Sequence, residues 1–279
     1  MRKKVIDICI LFFLLKLHVF SQEGPINLTY ESTMLAIGAS SVYDSYFSPL
    51  QYDGMKFGFI SERMKIFSRD ESKLKLVSQH FFDVAYLQTA NPTGTAVYRV
   101  GTFQYDYGLF YKLRTTCGLR LYLGAQIDCM LGFILNSRNG NNPATGKFHT
   151  GINLSSIASY ALPVSSFPVR FSWQLSFPSV GVMYSPEFGQ SYYEIGLGNR
   201  NNLLHLSSFH NYLFFKNIFT IEIPSGNTTF RVGYTDSFYQ TRISNLETKL
   251  RSNDFYLGVS RNFFVAPGKK LNQYRHVFE

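Results

Sequence analysis

Residues 117–135 read CGLRLYLGAQIDCMLGFIL, and every odd position in this stretch is apolar. Several even positions carry charge, amide or glycine instead, among them Arg120, Gln126 and Asp128. Because successive side chains of a β-strand point to opposite faces, this period of two places one whole face in an apolar medium. Soluble strands usually run for ~3–10 residues, whereas about 9–11 residues are needed only to cross a bilayer. The stretch therefore predicts a membrane-spanning β-strand.

The alternation recurs in residues 97–112, 148–162, 169–177 and 255–259. A soluble β-sandwich alternates too, but its outward face meets water and is usually rich in Lys, Glu and Thr. Here the polar positions are rich in Gly, Ser, Gln and Tyr with isolated charges, which suits the crowded lumen of a membrane barrel. Of the two architectures, the pattern favours an all-β transmembrane barrel.

The aromatic content supports the same architecture, with 27 Phe and 19 Tyr but one Trp. Beyond the N-terminus no run approaches ~18 continuous apolar residues, which excludes helical membrane spans. Aromatic residues near strand ends are typical of the girdles that flank a barrel's apolar band. The candidates for these girdles are Tyr105, Tyr107, Tyr111, Phe177, Phe255 and Phe263.

The N-terminus predicts export. Residues 2–4 are basic, residues 5–15 are apolar except for one Asp, and Ser21 provides a small residue for cleavage. This layout is typical of a secretory signal peptide spanning residues 1–21. The alternative, an anchoring helix, is disfavoured because the apolar run falls short of the ~20 residues that a span needs. The expected location is the outer membrane of a Gram-negative bacterium.

Charge and cysteine usage exclude two other classes. The formal net charge is +9, but the basic residues are scattered without a basic run or an aromatic platform, so nucleic-acid binding is not expected. Cys117 and Cys129 fall on one predicted strand, about 40 Å apart at ~3.4 Å per residue. A disulfide needs Cα atoms within about 7 Å, so two free, outward-facing thiols are predicted.

Ten strands are predicted, in an up-and-down antiparallel order. The upward strands lie near 29–41, 73–89, 116–135, 168–182 and 228–241, and the downward strands near 54–67, 95–112, 147–162, 217–223 and 253–264. Short turns alternate with longer connections at 42–53, 136–146, 183–216 and 242–252, apart from a brief link at 91–94 on the long-loop side, and this alternation is typical of outer-membrane barrels. An extra hairpin of 192–197 against 203–208 would give twelve strands. The barrel domain is residues 22–264, and residues 265–279 form a periplasmic tail.

The string DSYFSPLQYDG at residues 44–54, together with FRVGY at 230–234, resembles an uncharacterised family of Bacteroidetes outer-membrane barrels. That family carries a D-x-Y-x-S-P-L-x-Y-x-G string after its first strand. The matching positions here are Asp44, Tyr46, Ser48, Pro49, Leu50, Tyr52 and Gly54. The resemblance implies a barrel but no activity. Its Pro and Gly are turn chemistry, so the string is either a rigid cap on the first hairpin or a loop that contacts a ligand.

Charged and amide side chains on the polar positions are the candidate lumen lining. They are Gln104, Asp106, Arg120, Gln126, Asp128, Arg170, Gln174, Glu222 and Arg231. Around the turn at 224–227, Glu222 is expected opposite Thr229, with Arg231 one step away and within salt-bridge reach. A small barrel fills its interior with side chains, so the lumen is either plugged or a narrow conducting path.

A rim hydrolase or a rim metal site is the weaker alternative. His149, His205 and His210 fall near the loop end with Ser207 and Ser208, but no nucleophile motif surrounds them. No catalytic residue, metal or cofactor is therefore predicted.

The leading function is a narrow channel or transport-related barrel, and the alternative is a structural or surface-interaction barrel. The expected partners are outer-membrane lipid, the outer-membrane assembly machinery, and a small solute or surface partner.

Overall fold

The computed structural model describes residues 27–67, 76–113, 118–136, 138–140, 142–162, 169–187, 189–199, 201–225 and 228–265. The predicted signal peptide, Cys117, the tail beyond Val265 and the side chain of Phe263 lie outside this part. No helix in these ranges has the length and apolar character that a membrane span requires.

The strands and the helix of the described residues follow one another in a regular order. They are β1 Asn27–Asp44, β2 Gln51–Phe67, β3 Leu76–Ala90, β4 Val97–Lys112, β5 Leu119–Asn136, β6 Ala144–Leu162, β7 Val169–Tyr184, α1 Tyr192–Gly196, β8 Leu204–Ser208, β9 Tyr212–Ser225, β10 Thr228–Ile243 and β11 Leu246–Val265.

Ten of the strands close a barrel. From β1 to β7 and from β9 to β11, each strand pairs antiparallel with the next, β7 pairs with β9, and β11 pairs back onto β1. The predicted ten-strand barrel is confirmed. The twelve-strand alternative is wrong, because residues 192–196 form a helix and β8 pairs with β7 instead.

The barrel is apolar outside and polar inside. On β5, Leu123 and Ile127 are 53% and 59% exposed, whereas Gln126 and Asp128 between and beside them are 2% and 1% exposed. The girdle candidates other than Phe263 also face outward or lie half-buried on the outer face. An apolar outer surface of this kind is favourable in contact with hydrocarbon and unfavourable in contact with water. The apolar positions of the alternating sequence therefore form the membrane-facing side of the wall.

The two ends of the barrel differ. The first residue of β1, Asn27, pairs with the last residue of β11, Val265, at one end of the barrel, and we call it the turn end. The opposite, loop end carries the connection 185–211, which contains α1 and β8. The predicted long connection at 242–252 is wrong: β10 and β11 extend to Ile243 and Leu246. Ser244 and Asn245 between them have positive φ, as a two-residue hairpin turn requires.

One place in the wall is irregular, and we call it the seam. Residues 170–176 of β7 pair with β9, but residues 180–184 pair with β8. The register between β6 and β7 shifts here as well, at Ile152 and Asn153. Residues 212–215 of β9 pair with β10 and have no partner in β7 among the described strands. The seam is therefore where the continuous hydrogen bonding of the wall is interrupted.

Candidate functional site

Buried aromatic and aliphatic side chains pack together inside the loop end, and we call this cluster the apolar cap. Its members are Val42, Tyr52, Ala85, Leu87, Ala96, Tyr98, Val100 and Ile134, with Phe47 packed against them. The rings of Tyr52 and Tyr98 stack with centroids 3.6 Å apart and planes 10° apart. Because these side chains come from β1 to β5 and the first loop, the cap ties half of the wall together.

The DSYFSPLQYDG string forms part of this cap. Asp44 is fully buried, pairs with Lys147 Nζ at 2.8 Å, and accepts the backbone N–H of Tyr46 at 3.1 Å. The Tyr46 hydroxyl donates to the Gln190 carbonyl at 3.1 Å in the long connection. Burial there raises the pKa of the Tyr46 hydroxyl, which keeps it a donor. These contacts favour the rigid-cap interpretation over a loop that contacts a ligand.

A network of charges occupies the half of the interior nearer the turn end, and we call it the turn-side ion-pair layer. Arg231 Nη1 lies 2.6 Å from Glu62, and Arg231 Nε lies 3.4 Å from Glu222. Arg170 Nη1 reaches Glu222 at 3.3 Å, and the Tyr30 hydroxyl donates to Glu222 at 2.7 Å. Each carboxylate of the layer thus meets more than one donor, which offsets the cost of burying it.

The predicted Glu222–Arg231 salt bridge is confirmed, but the predicted register is wrong. Glu222 lies directly opposite Arg231, and Thr229 lies opposite Pro224. The reason is that β9 and β10 continue to Ser225 and Thr228, which leaves a shorter link than the expected four-residue turn.

Three buried glutamines cross the middle of the interior, and we call them the amide layer. Gln174 Nε2 and Gln126 Nε2 donate to Gln79 Oε1 at 3.0 and 3.1 Å. Ser176 donates to Gln126 Oε1 at 2.9 Å. These neutral amides are joined to one another by side-chain hydrogen bonds alone.

A second set of ion pairs lies on the loop side of the amide layer. Lys56 Nζ contacts Asp254 at 2.7 Å, and Lys216 Nζ lies 3.6 Å from Asp83 and 3.9 Å from Asp106. Both lysines are almost fully buried. They were not among the predicted lining residues, although each occupies an inward-facing position of its strand. Apolar residues on the same inward face obscured the alternation in the sequence: Ile60 on the strand of Lys56, and Tyr212 and Phe214 on the strand of Lys216.

Asp128, His149 and Ser207 form a linear hydrogen-bonded arrangement, which we call the relay. Asp128 Oδ2 lies 2.8 Å from His149 Nδ1, and His149 Nε2 lies 3.0 Å from Ser207 Oγ. Each of the three residues is 1% exposed. The sequence suggested His149 and Ser207 for a rim site without their carboxylate partner.

The other two predicted rim histidines do not converge on His149. His205 Nε2 lies 3.3 Å from the Ser185 carbonyl, and His210 Nδ1 lies 2.6 Å from Ser208 Oγ. No group of three His, Cys, Asp or Glu side chains within the described ranges is arranged to hold a metal ion.

Two cavities lie on opposite sides of the amide layer, and the contact of Lys216 Nζ with the Phe81 ring, 4.1 Å from its centroid, also lies between them. The turn-side chamber, about 90 Å³, is lined by apolar side chains together with Arg120, Arg170 and Gln174. The loop-side chamber, about 70 Å³, is lined by Asp83, Gln104 and Lys216 among others. They share no lining residue. Since about 10–15 Å³ of such volume holds one water, each chamber has room for several waters.

The nine predicted lining residues all face the interior. Arg120 lines the turn-side chamber, while Arg170, Glu222 and Arg231 belong to the turn-side ion-pair layer. The remaining five lie in or above the amide layer: Gln104, Asp106, Gln126, Asp128 and Gln174. On the outer face, Cys129 is a half-buried free thiol and His80 contacts the Tyr105 hydroxyl at 2.8 Å.

Residues 6–270 match the family described as "Protein of unknown function (DUF3316)". No curated protein sequence matches the chain. The solved structures that resemble it include Neisserial surface protein A, at 12% identity and a TM-score of 0.34, covering 84% of this chain and 97% of that one.

The outer membrane protease OmpT from Escherichia coli has 8% identity and a TM-score of 0.48, covering 85% and 97% of the two chains. An outer membrane channel from Pseudomonas putida F1 has 7% identity and a TM-score of 0.35, covering 88% and 100%. At identities and TM-scores this low, the likenesses carry no information about activity.

Proposed function

Because this chain belongs to the DUF3316 family of proteins of unknown function, we propose its role from its own geometry: a narrow, transport-related outer-membrane channel that side chains hold closed at rest. The proposed location is the outer membrane of a Gram-negative bacterium of the Bacteroidetes, reached after removal of residues 1–21. The loop end faces outward, because the long connections of such barrels are extracellular. The tail from residue 265 then lies in the periplasm.

The observation that carries the proposal is the construction of the barrier. Only side chains separate the two chambers, with Gln79, Gln126 and Gln174 bonded to one another across the interior. Side chains change rotamer far more readily than a backbone plug unfolds. A lumen closed in this way can connect its two chambers by rotation of the amide side chains and of Phe81, which meets Lys216 Nζ 4.1 Å from its ring centroid, without unfolding any strand.

The lining suits a small polar solute of either charge. Arg120 and Arg170 border the turn-side chamber, and Lys216 with Asp83 borders the loop-side chamber. A path with both charge signs offers alternate weak sites, which conduction requires. The small chamber volumes argue against a large substrate.

The apolar cap is a second barrier, of a different kind. Tyr98 is fully buried in it and packs against Tyr52. Apolar constrictions close channels by excluding water. Steady conduction therefore requires both the amide layer and the cap to open, and each barrier is accessible to mutation.

Ion current across planar lipid bilayers tests the proposal. The purified wild-type barrel is expected to show only brief openings, whereas the triple variant Gln79→Ala, Gln174→Ala, Tyr98→Ala is expected to conduct steadily. Gln88→Ala removes an exposed amide from the outer face of β3 and should leave the wild-type behaviour unchanged.

Folding of every variant is checked by circular dichroism and by the shift of gel mobility on heating. A folded triple variant without current above the protein-free background would contradict the channel. That result would favour the structural or surface-interaction barrel, in which the polar interior serves stability alone.

A further inference from the structure

The relay has the atomic order of a nucleophile, a base and an orienting acid. We propose that Ser207 is the nucleophile of an ester hydrolase site, with His149 as general base and Asp128 as the residue that positions it. A neutral imidazole that donates Nδ1–H to Asp128 leaves Nε2 free to take the Ser207 proton. The two distances, 2.8 and 3.0 Å, are those of direct hydrogen bonds at both ends of the ring.

The surroundings fix the imidazole ring in this orientation. Tyr212 stacks on His149 with ring centroids 3.9 Å apart. On the neighbouring strands, a Cβ added at Gly151 would lie 3.0 Å from His149 Cε1, and one added at Gly181 would lie 2.9 Å from Nε2. The ring thus occupies space that only glycine leaves open. Such positioning is what a general base requires, because proton transfer depends on held geometry.

The charges around the relay favour a protonated intermediate. Asp106 lies directly opposite Asp128 on the neighbouring strand, a pairing of like charges. Asp128 Oδ1 has no hydrogen-bond partner among the described residues. An imidazolium that forms during proton transfer is stabilised by its contact with Asp128 at 2.8 Å.

In this proposal the ester reaches the relay from the lipid side through the seam, where residues 212–215 of β9 have no partner in β7 among the described strands. Ser207 lies on β8, whose outward residues Leu204 and Leu206 are 67% and 74% exposed, and Phe209 follows at 60%. These side chains continue the apolar outer surface of the wall. They suit the acyl chain of an ester that arrives from the lipid side, so we assign acyl esters with a long apolar chain as the substrate class.

The reaction balances without a cofactor. Ser207 Oγ bonds to the ester carbonyl carbon while its proton moves to His149 Nε2. The carbon–oxygen bond to the alcohol then breaks, and the alcohol leaves with that proton. Water gives a proton to His149 and attacks the acyl-serine; the bond to Oγ breaks and Ser207 recovers its proton. The products are a carboxylic acid and an alcohol.

A second Ser–His pair in the same segment provides a matched control. Ser208 Oγ lies 2.6 Å from His210 Nδ1, but both residues lie toward solvent and no carboxylate pairs with His210 among the described residues. Without an orienting acid or burial, this pair lacks the activation proposed for Ser207.

Covalent labelling with a fluorophosphonate tests the nucleophile, since an activated serine displaces fluoride to form a stable phosphonate ester. The full-length barrel is labelled in detergent micelles, and the modified residue is identified by mass spectrometry. Ser207 is expected to react slowly, because it is 1% exposed, and Ser208→Ala should label like the wild type. Ser207→Ala should lose the label, and His149→Asn should label at least ~100-fold more slowly.

Two further variants test access and positioning. Asn211 fastens the seam turn by accepting Ser208 N–H at 3.0 Å and donating to the Leu206 carbonyl at 2.8 Å. Asn211→Ala should therefore speed labelling of Ser207 several-fold. Asp128→Asn should slow it about 10²–10⁴-fold, and Asp128→Glu should restore part of the rate.

Hydrolysis of p-nitrophenyl esters is measured in parallel, with faster turnover expected for a twelve-carbon than for a two-carbon acyl chain. Absence of label at Ser207 in both the folded wild type and folded Asn211→Ala would overturn the proposal. Equal labelling of Ser207 and Ser208 would overturn it as well, because it would show no special activation. Loss of channel activity has no bearing on either result.

Discussion

The turn-side ion-pair layer and the relay are both buried and polar, but they compensate their charges in different ways. Glu222 meets Arg231, Arg170 and the Tyr30 hydroxyl, so its charge is shared among three donors. Asp128 meets His149 through one oxygen and faces a second carboxylate across the strand pair. The carboxylates of the first region each meet an arginine, whereas Asp128 pairs with an imidazole and lies opposite another carboxylate.

This difference in charge compensation indicates that the ion-pair layer stabilises the fold, whereas the relay is suited to chemistry. A network of buried ion pairs costs much to break, because removing one member leaves its partners charged and unpaired. A residue that is incompletely compensated contributes less to folding and is the kind of group that functional sites contain. Loss of stability on mutation should therefore be large in the ion-pair layer and smaller at the relay, where chemistry should change most.

The largest effect is expected for Arg231→Ala. The substitution leaves Glu62 and Glu222 without their shared cation, and removing one partner of a buried pair costs about 3–5 kcal/mol. The free energy of unfolding by urea from lipid vesicles measures it. Arg63→Ala, which removes an exposed ion pair with Glu31 on the outer face, should cost about 0.2–1 kcal/mol. Equal costs for the two variants would mean that burial does not distinguish these pairs.

The sequence predicted the wall better than the interior contacts. The period-two pattern of residues 117–135 identified β5 and predicted that Gln126 and Asp128 face the lumen. The alternation of a strand predicts whether a side chain faces the lumen or the lipid. It does not predict which residue of the neighbouring strand lies beside it. For that reason the Glu222–Arg231 contact was predicted while its register was wrong by two residues.

The relay shows the same limit more strongly. His149 and Ser207 were recognised as candidates, but their meeting depends on β8 pairing with residues 180–184 of β7. That pairing follows from the register shift near Pro178 and from the helix at residues 192–196, neither of which alternation reveals. The ten-strand count was predictable because the other hairpins are regular. The seam was not, because its residues read equally well as a hairpin of their own.

Gly181→Ala is expected to have an intermediate effect and to act on the relay. Its Cβ would lie 2.5 Å from the Thr150 carbonyl oxygen and 2.9 Å from His149 Nε2, so backbone and ring must both shift. Overpacking of this kind costs about 1–3 kcal/mol. Labelling of Ser207 should fall at least as steeply as in Asp128→Asn. Gly196→Ala, at a site with open space around it, should change neither quantity. Unchanged labelling in folded Gly181→Ala would mean that the ring position does not govern reactivity.

The smallest effect on stability is expected at Ser207 itself, compared with Ser32 in the ion-pair layer. Ser32 Oγ accepts Arg231 Nη1 at 2.6 Å, a bond to a charged donor, whereas Ser207 Oγ lies 3.0 Å from His149 Nε2, which must be uncharged to act as the proposed base. Bonds to charged groups contribute about 1.5–3 kcal/mol and neutral ones about 0.5–1.5 kcal/mol. Ser207→Ala should therefore lower the free energy of unfolding less than Ser32→Ala, while only Ser207→Ala abolishes labelling. The reverse order of stability would make the relay a structural element that resembles the ion-pair layer, and the contrast between the two regions would fail.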